Sequence, residues 1–191
     1  RLAWLLVIAG LVGFAAAFTL LVEKIALLED PSYVPSCSIN PILSCGSIMR
    51  TEQAEAFGFP NPIIGVAGFA IVTTTGMAIL AGATLRRWFW RGLQAGTTFG
   101  AVFIHWLIFQ SLYRIDALCP YCMVVWVVAI PLFWYTTLHN ARAGHLRPPG
   151  FADRAARVAG EYHGVILTAW YLAIAALIFN RFWDYWSGLL T

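Results

Sequence analysis

The chain has 191 residues, of which 60% are hydrophobic and only 11% are charged. This composition excludes a disordered segment and a nucleic-acid-binding arm, because both are rich in charge. It also excludes an ordinary soluble domain, in which about 25% of the residues are charged. The net charge of +3 is small and reflects an uneven distribution of basic residues between loops. The composition therefore predicts an all-α, polytopic membrane protein that contacts lipid and has no nucleic-acid partner.

Five apolar stretches divide the chain. A helix that crosses a bilayer needs about 20 mostly apolar residues. The stretches that reach or approach this length cover residues 2–22, 62–85, 92–113, 117–138 and 165–179. The first is longer than the apolar core of a typical signal peptide and lacks a small-residue cleavage site, so it predicts an anchored helix. We expect the shorter last stretch to extend on both sides, which gives five transmembrane helices.

The basic residues predict the orientation of these helices. With the N-terminus in the cytoplasm, eight basic residues lie inside, namely Arg1, Arg86, Arg87, Arg91, Arg142, Arg147, Arg154 and Arg157. Four lie outside, namely Lys24, Arg50, Arg114 and Arg181. The opposite orientation inverts this bias and contradicts the positive-inside rule. We therefore expect residues 139–163 to face the cytoplasm and the loop of residues 23–61 to face outward.

All four cysteines fall on the external side of this topology, where disulfides are tolerated. Cys119 and Cys122 lie one helical turn apart, in the sequence Cys-Pro-Tyr-Cys that begins the fourth span. The positive end of a helix dipole favours a thiolate there and lowers the pKa of a cysteine. The pair is therefore typical of reversible redox chemistry. Because the helix that follows is built for lipid, we expect a lipophilic electron acceptor, and quinone is the obvious candidate.

The other two cysteines, Cys37 and Cys45, enclose seven residues of the external loop that include the turn signal Asn40-Pro41. The ends of this segment can approach each other and pair. A pair in a mobile loop can collect electrons from a soluble protein and pass them to a second pair by thiol–disulfide exchange.

Two other interpretations of the cysteines are open. Both pairs can be structural disulfides of a non-catalytic membrane protein, although a bridge over one helical turn closes a very small loop and stabilises little. The four cysteines can also hold zinc, but their spacing is irregular and an oxidising compartment disfavours such a site. We therefore expect no metal.

Two further features have more than one interpretation. Gly92, Gly96 and Gly100 form a small-residue face on the third span, and such a face favours close packing of a neighbouring helix over contact with a ligand. Asn61 precedes Pro62 at the start of the second span. Asparagine is a strong N-cap and proline suits the first helical position, so Asn61 can cap this helix as well as bind a ligand.

Three motifs, in this order and spacing, are specific to one family. They are Cys37-x₇-Cys45-Gly-Ser, the phrase Phe-Gly-Phe-Pro-Asn-Pro-Ile-Ile-Gly over residues 57–65, and Cys119-Pro-Tyr-Cys122. Over about residues 2–140 the chain resembles the vitamin K epoxide reductase family in its bacterial form. The related disulfide-bond oxidoreductase B family has its Cys-x-x-Cys motif in the first external loop, whereas here the motif is in the second.

The resemblance implies a four-helix bundle around a quinone within residues 1–140, with the loop of residues 23–61 as a cap. Residues 141–191 then form a cytoplasmic linker and the fifth transmembrane helix. It implies a quinone of the menaquinone, ubiquinone or phylloquinone type. The resemblance also implies the inner membrane of a bacterium and an enzyme that generates disulfides by oxidising an extracytoplasmic thioredoxin-like partner.

The resemblance further implies roles for individual residues. Cys37 meets the partner, Cys45 exchanges with Cys119, and Cys122 adjoins the quinone. Thr51 matches a serine or threonine position of the family cap, and Asn61 matches an asparagine that hydrogen-bonds the quinone head group. Trp126 stands where the animal enzymes have a tyrosine that contacts the quinone carbonyl, and its indole N–H can donate a similar bond.

Overall fold

The computed structural model describes residues 1–146 and 157–188. Its α-helices are α1 (Leu2–Glu29), α2 (Cys45–Met49), α3 (Pro62–Leu80), α4 (Arg87–Gln110), α5 (Pro120–Arg142), α6 (His163–Arg181) and α7 (Trp183–Gly188). A 3₁₀ turn covers Glu52–Glu55, and a π turn over Ser111–Ile115 continues α4. The described residues contain no β-strand. One isolated β-bridge among them pairs Leu43 with Leu118.

Five of the described helices are long and apolar enough to cross a membrane: α1, α3, α4 with its π turn, α5 and α6. The prediction of an all-α, polytopic membrane protein with five spans is therefore confirmed. The third predicted stretch begins earlier than its apolar pattern indicates, because the helix already starts at Arg87. The second ends earlier, at Leu80, and Gly82 follows with a positive φ of 90° that reverses the chain.

Helix α1 differs most from its predicted length. It continues through Glu23 and Lys24, which the sequence assigns to the external loop, and ends at Glu29. Its 28 residues span about 42 Å, which exceeds the roughly 30 Å of a bilayer core. The helix can continue through these two charged residues because each of them is buried and has a bonding partner in the following segment. We call residues 30–61 the cap, since they connect α1 with α3.

The chain divides into two compact units, Arg1–Asn140 and Ala141–Thr191. In the first unit α1 and α3 pack closely, because small residues let their backbones approach. A Cβ atom at Gly76 of α3, for example, would lie 2.8 Å from Val7 and 2.9 Å from the carbonyl oxygen of Ala3 on α1. Buried residues from four spans form the main core, and they include Leu6, Phe69, Trp90, Val128 and Leu132. In the second unit Arg142 donates a hydrogen bond to the carbonyl oxygen of Gly160.

Candidate active site

A short backbone bridge brings the two cysteine segments together. The N–H of Leu118 donates to the carbonyl oxygen of Ile42 at 2.7 Å, and the N–H of Ser44 donates to the carbonyl oxygen of Leu118 at 2.9 Å. The chain reaches this bridge after the π turn, through Asp116, which adopts the left-handed conformation with a φ of 57°. Cys45 directly follows Ser44 and Cys119 directly follows Leu118. The bridge therefore places these two cysteines side by side.

Three sulfur atoms meet at this point. Cys37 and Cys45 form a disulfide, and the Sγ of Cys119 lies 2.8 Å from the Sγ of Cys45. All three side chains are buried, and their sulfur atoms lie within 4.8 Å of one another. Thiolates bind metal ions, whereas the two sulfurs of a disulfide are not thiolates. In this redox state the cluster is thus arranged for exchange between a thiol and a disulfide.

Cys119 and Cys122 are free thiols at the start of α5. The N–H of Cys122 points to the Sγ of Cys119 at 3.5 Å. A hydrogen bond from the Cys122 side chain holds the pKa of Cys119 below its ordinary value, although burial acts in the opposite direction. The backbone N–H groups of Cys122 and Tyr121 contribute to the same lowering of this pKa. The direction agrees with the prediction for a cysteine at a helix N-terminus and favours the nucleophilic form of Cys119.

A cavity of about 800 Å³ opens beside these thiols. Residues of α1, α3, α4, α5 and the cap line it, and nearly all of them are apolar. Cys45, Cys119 and Cys122 belong to its wall, whereas Cys37 is absent from the described residues that line it. The volume falls within the range of cavities that hold small organic ligands. The site therefore joins a pair of free thiols to a large apolar chamber.

The glycine face of α4 borders this cavity. Gly92, Gly96 and Gly100 all line it, and a Cβ atom added at any of them would meet nothing within 4 Å. The prediction that a neighbouring helix packs against this face is therefore wrong. The absence of side chains on this face enlarges the chamber.

Asn61 lies at the cavity wall and also fastens the cap. Its side-chain oxygen accepts a hydrogen bond from the N–H of Ala56 at 3.0 Å, and its side-chain nitrogen donates to the carbonyl oxygen of Gln53 at 2.7 Å. It directly precedes Pro62, the first residue of α3, but its side chain makes no capping hydrogen bond to that helix. The capping interpretation is therefore wrong for the side chain, which holds the cap instead.

The two other residues expected near a cofactor differ in position. Trp126 of α5 is buried and lines the cavity. Thr51 is absent from the described lining residues, and its hydroxyl donates a hydrogen bond to the carbonyl oxygen of Ile48 within the cap. The structure thus brings Trp126 to the chamber and leaves Thr51 within the cap.

Sequence reasoning missed two buried charges beside the site, Glu23 and Lys24. The carboxylate of Glu23 accepts hydrogen bonds from the hydroxyl of Tyr33 at 2.9 Å and from both the N–H and the hydroxyl of Ser36. The bond to Glu23 raises the pKa of Tyr33. An ionisable pair that directly continues an apolar span is a signal that could have indicated this role. Ionisable residues are costly near a membrane, and those that occur there usually have a function.

Lys24 is held from the other side of the cap. Its Nζ donates to the carbonyl oxygen of Met49 at 2.7 Å and forms an ion pair with Glu55 at 2.8 Å. It is also one of the few polar residues of the cavity wall. His105, in contrast, lies in α4 with its Nδ1 2.7 Å from the carbonyl oxygen of Ala101, one turn earlier in the same helix.

Comparison with known protein families finds a match over most of the chain. The model of the vitamin K epoxide reductase family matches residues 4–137, a range that contains the second and third spans, most of the first and fourth, the cap and all four cysteines. No curated protein matches the chain.

Proposed function

The chain belongs to the vitamin K epoxide reductase family, and we propose that it carries electrons from an external thioredoxin-like protein to a membrane quinone through its two cysteine pairs. Membership of the family implies a membrane thiol–quinone oxidoreductase. The family uses quinones in general, and the apolar chamber beside Cys122 is of a suitable size and chemistry for a quinone ring. The proposal concerns the route of the electrons, the partner and the residues that hold the ring.

The contact between Cys45 and Cys119 carries this proposal. Their sulfur atoms lie 2.8 Å apart although they belong to different segments, and one of them is already part of a disulfide. Exchange requires a thiolate that reaches one sulfur of a disulfide. The lowered pKa of Cys119 supports such an exchange, because a thiol of low pKa leaves readily as a thiolate when Cys37 resolves a Cys45–Cys119 bridge.

The transfer within the protein proceeds by two exchanges. The partner first reduces the Cys37–Cys45 disulfide, and is itself oxidised to a disulfide. The Cys45 thiolate then attacks Cys119 of a Cys119–Cys122 disulfide, which forms a Cys45–Cys119 bridge and releases Cys122 as a thiolate. The Cys37 thiolate attacks Cys45 in turn and releases Cys119. The products are the loop disulfide and two free thiols at α5, which is the redox state of the structure.

The second stage returns α5 to its oxidised form. A quinone in the chamber supplies an acceptor for two electrons and two protons. Cys122 lies at the chamber wall, where it would adjoin the quinone, and a Cys119–Cys122 disulfide would form as the two thiols give up two electrons and two protons to it. Asn61 and Trp126 at the wall orient the ring by their side-chain N–H groups. Thr51 acts through the cap, because its hydroxyl is bonded to Ile48.

The orientation completes the proposal. The cap and the cysteines face outward from the inner membrane of a bacterium, and the N-terminus lies in the cytoplasm. The uneven distribution of basic residues supports this arrangement. The external side of such a membrane is oxidising and contains soluble thioredoxin-like proteins with reactive dithiols.

The test is reduction of a short-chain ubiquinone or menaquinone by the purified protein, with a reduced thioredoxin-like protein as electron donor. We expect turnover with the wild type and none with Cys122→Ser. Met123→Leu, a change at the next residue of α5, is the matched control and keeps turnover. Equal rates without enzyme, with wild type and with Cys122→Ser would overturn the proposal and leave a non-catalytic membrane protein with structural disulfides.

A further inference from the structure

The loop disulfide is closed to a partner in this structure. Cys37, the cysteine proposed to meet the external partner, is only 4% exposed. It belongs to a buried cluster with Cys45, Cys119 and Met49, against which the ring of Tyr33 packs. The cover over Cys37 must therefore move before a partner sulfur can reach it. The contacts that hold this cover in place therefore determine how readily the disulfide becomes accessible to a partner.

Glu23 holds the cover on the Cys37 side. Glu23 is 7% exposed, and its carboxylate binds Tyr33, which packs on the cluster, and Ser36, which directly precedes Cys37. The hydrogen bonds described for this carboxylate all come from Tyr33 and Ser36 of the cap. A buried carboxylate without partners is costly, so the charge favours the closed position of this segment.

Lys24 holds the Cys45 side. It is 6% exposed, and its ammonium group binds the carbonyl oxygen of Met49. Met49 ends α2, the short helix that begins with Cys45. The ion pair with Glu55 fixes the next turn of the cap in addition. Because α2 is a single rigid turn, a bond at Met49 also limits the movement of Cys45.

We propose that Glu23 and Lys24 are positioning residues for the thiol exchange: they hold the two flanks of the loop disulfide so that Cys45 meets Cys119 while Cys37 stays covered. The inference rests on the proposed exchange between Cys45 and Cys119. Two adjacent residues of α1 bear opposite charges and fasten opposite sides of one disulfide, so a single helix end sets the position of both sulfurs. Opening for the partner then requires that the cap bonds of Glu23 be exchanged for bonds to water.

Two assays of quinone reduction distinguish a positioning role of Glu23 from a general effect on the stability of the protein. The first is driven by a reduced thioredoxin-like protein and uses the loop disulfide. The second is driven by dithiothreitol in a Cys37→Ala/Cys45→Ala background and uses only Cys119 and Cys122. Although Glu23→Leu uncovers the disulfide, we expect it to lower the ratio of the first rate to the second by at least about fivefold, because the freed Cys37 segment no longer helps to hold Cys45 against Cys119. Loss of hydrogen bonds to a buried charge is worth roughly that much or more. Glu29→Leu, an exposed carboxylate near the same helix end, is the matched control.

A second measurement tests the cover directly. A water-soluble phosphine should reduce the Cys37–Cys45 disulfide faster in Glu23→Leu than in Glu29→Leu, because Cys37 is uncovered. Glu23→Gln keeps an acceptor oxygen and should fall between these two, which preserves the test if Glu23→Leu does not fold. Lys24→Met should lower the rate of bridge formation between Cys45 and Cys119 in a Cys122→Ser background, and Lys24→Arg should restore it.

The outcomes separate this inference from the proposed function. Absence of quinone reduction on both routes in the wild type overturns the proposed function. Activity in the wild type with an unchanged ratio in Glu23→Leu and Glu23→Gln overturns the positioning role alone. An equal loss on both routes also overturns it, because it shows a general loss of structure.

Discussion

The Sγ of Cys45 lies 2.8 Å from the Sγ of Cys119, whereas Cys37, its disulfide partner, is absent from the described wall of the cavity that Cys119 and Cys122 border. The disulfide thus has two chemically different ends. One sulfur belongs to the wall of the apolar chamber, and the other is covered by the cap. This asymmetry supports the proposed assignment of the exchange with α5 to Cys45.

Trapping the intermediate tests that assignment. Replacement of Cys122 or Cys37 by serine removes a resolving sulfur, so we expect a Cys45–Cys119 bridge to accumulate. Mass spectrometry of alkylated peptides identifies the linked residues. A bridge between Cys37 and Cys119, or the absence of any bridge between the segments in both variants, would contradict the assignment.

The thiolate of Cys119 should depend on the side chain of Cys122. The hydrogen bond from Cys122 lowers the pKa of Cys119, so the thiolate persists to lower pH than in an ordinary cysteine. In a Cys37→Ala/Cys45→Ala background, Cys122→Ala should raise the midpoint of the thiolate absorbance by about one to two pH units, which corresponds to loss of one charge-assisted hydrogen bond. Cys122→Ser retains a donor and is the control. Identical midpoints in the alanine and serine variants would show that the side chain is not the cause.

The glycine face of α4 predicts a specific effect on quinone affinity. Gly96→Leu places a side chain into the chamber, where a Cβ atom has open space around it. We expect the KM for quinone to rise by about tenfold, which corresponds to roughly 1.4 kcal/mol of lost binding free energy. Gly164→Leu makes the same chemical change at a helical glycine that is not among the described residues lining the chamber, and it serves as the control. An equal KM in the two variants would place the ring elsewhere.

Two glycines of α3 predict opposite changes in stability. Gly76→Ala forces a Cβ atom to 2.8 Å from Val7, so it should lower the free energy of unfolding by about 1–3 kcal/mol. At Gly68 an added Cβ atom meets nothing within 4 Å, and alanine is the better helix former by roughly 0.5–1 kcal/mol. Gly68→Ala should therefore raise the Tm in detergent and Gly76→Ala should lower it. The same sign of change in both would contradict the close packing of α1 and α3.

The proposed orientation has a labelling test. A cysteine introduced by Ala143→Cys should resist an impermeant maleimide in intact cells, because residues 139–163 are expected in the cytoplasm. Ser32→Cys in the exposed part of the cap should react and is the positive control. Ready labelling at position 143 together with protection at position 32 would reverse the orientation and remove the oxidising-compartment argument.

The spans could be predicted from the sequence, because each is a long apolar run and the bilayer sets its length. The turn signal at Asn40-Pro41 indicated that Cys37 and Cys45 can pair, whereas the meeting of Cys45 with Cys119 could be expected only through the family resemblance. The reason is that 74 residues separate Cys45 from Cys119, and local patterns do not report contacts over such a distance. The direction of the pKa shift of Cys119 was predictable, because this pKa is lowered by Cys122 and Tyr121, which lie within one helical turn.

Other features had no readable local signal. Glu23 and Lys24 lie 10 to 31 residues from the cap residues that bind them, so their charges were assigned to a loop instead of a helix. The face of Gly92, Gly96 and Gly100 was misinterpreted for a different reason. A row of small residues has the same sequence pattern whether a helix or an open chamber lies opposite, and only the positions of the neighbouring spans distinguish the two.

The backbone bridge between Leu43 and Leu118 has a kinetic consequence. Folding has already brought together two segments that are distant in the sequence, and the bonds at Ile42 and Ser44 keep them in register. The attack of one sulfur on the other is therefore intramolecular, with an effective molarity far above the concentration that a free thiol reaches in solution. In the proposed exchange the two cysteines are already adjacent and need not diffuse together. The rate of this exchange should therefore depend on the supply of thiolate and on the opening of the cap.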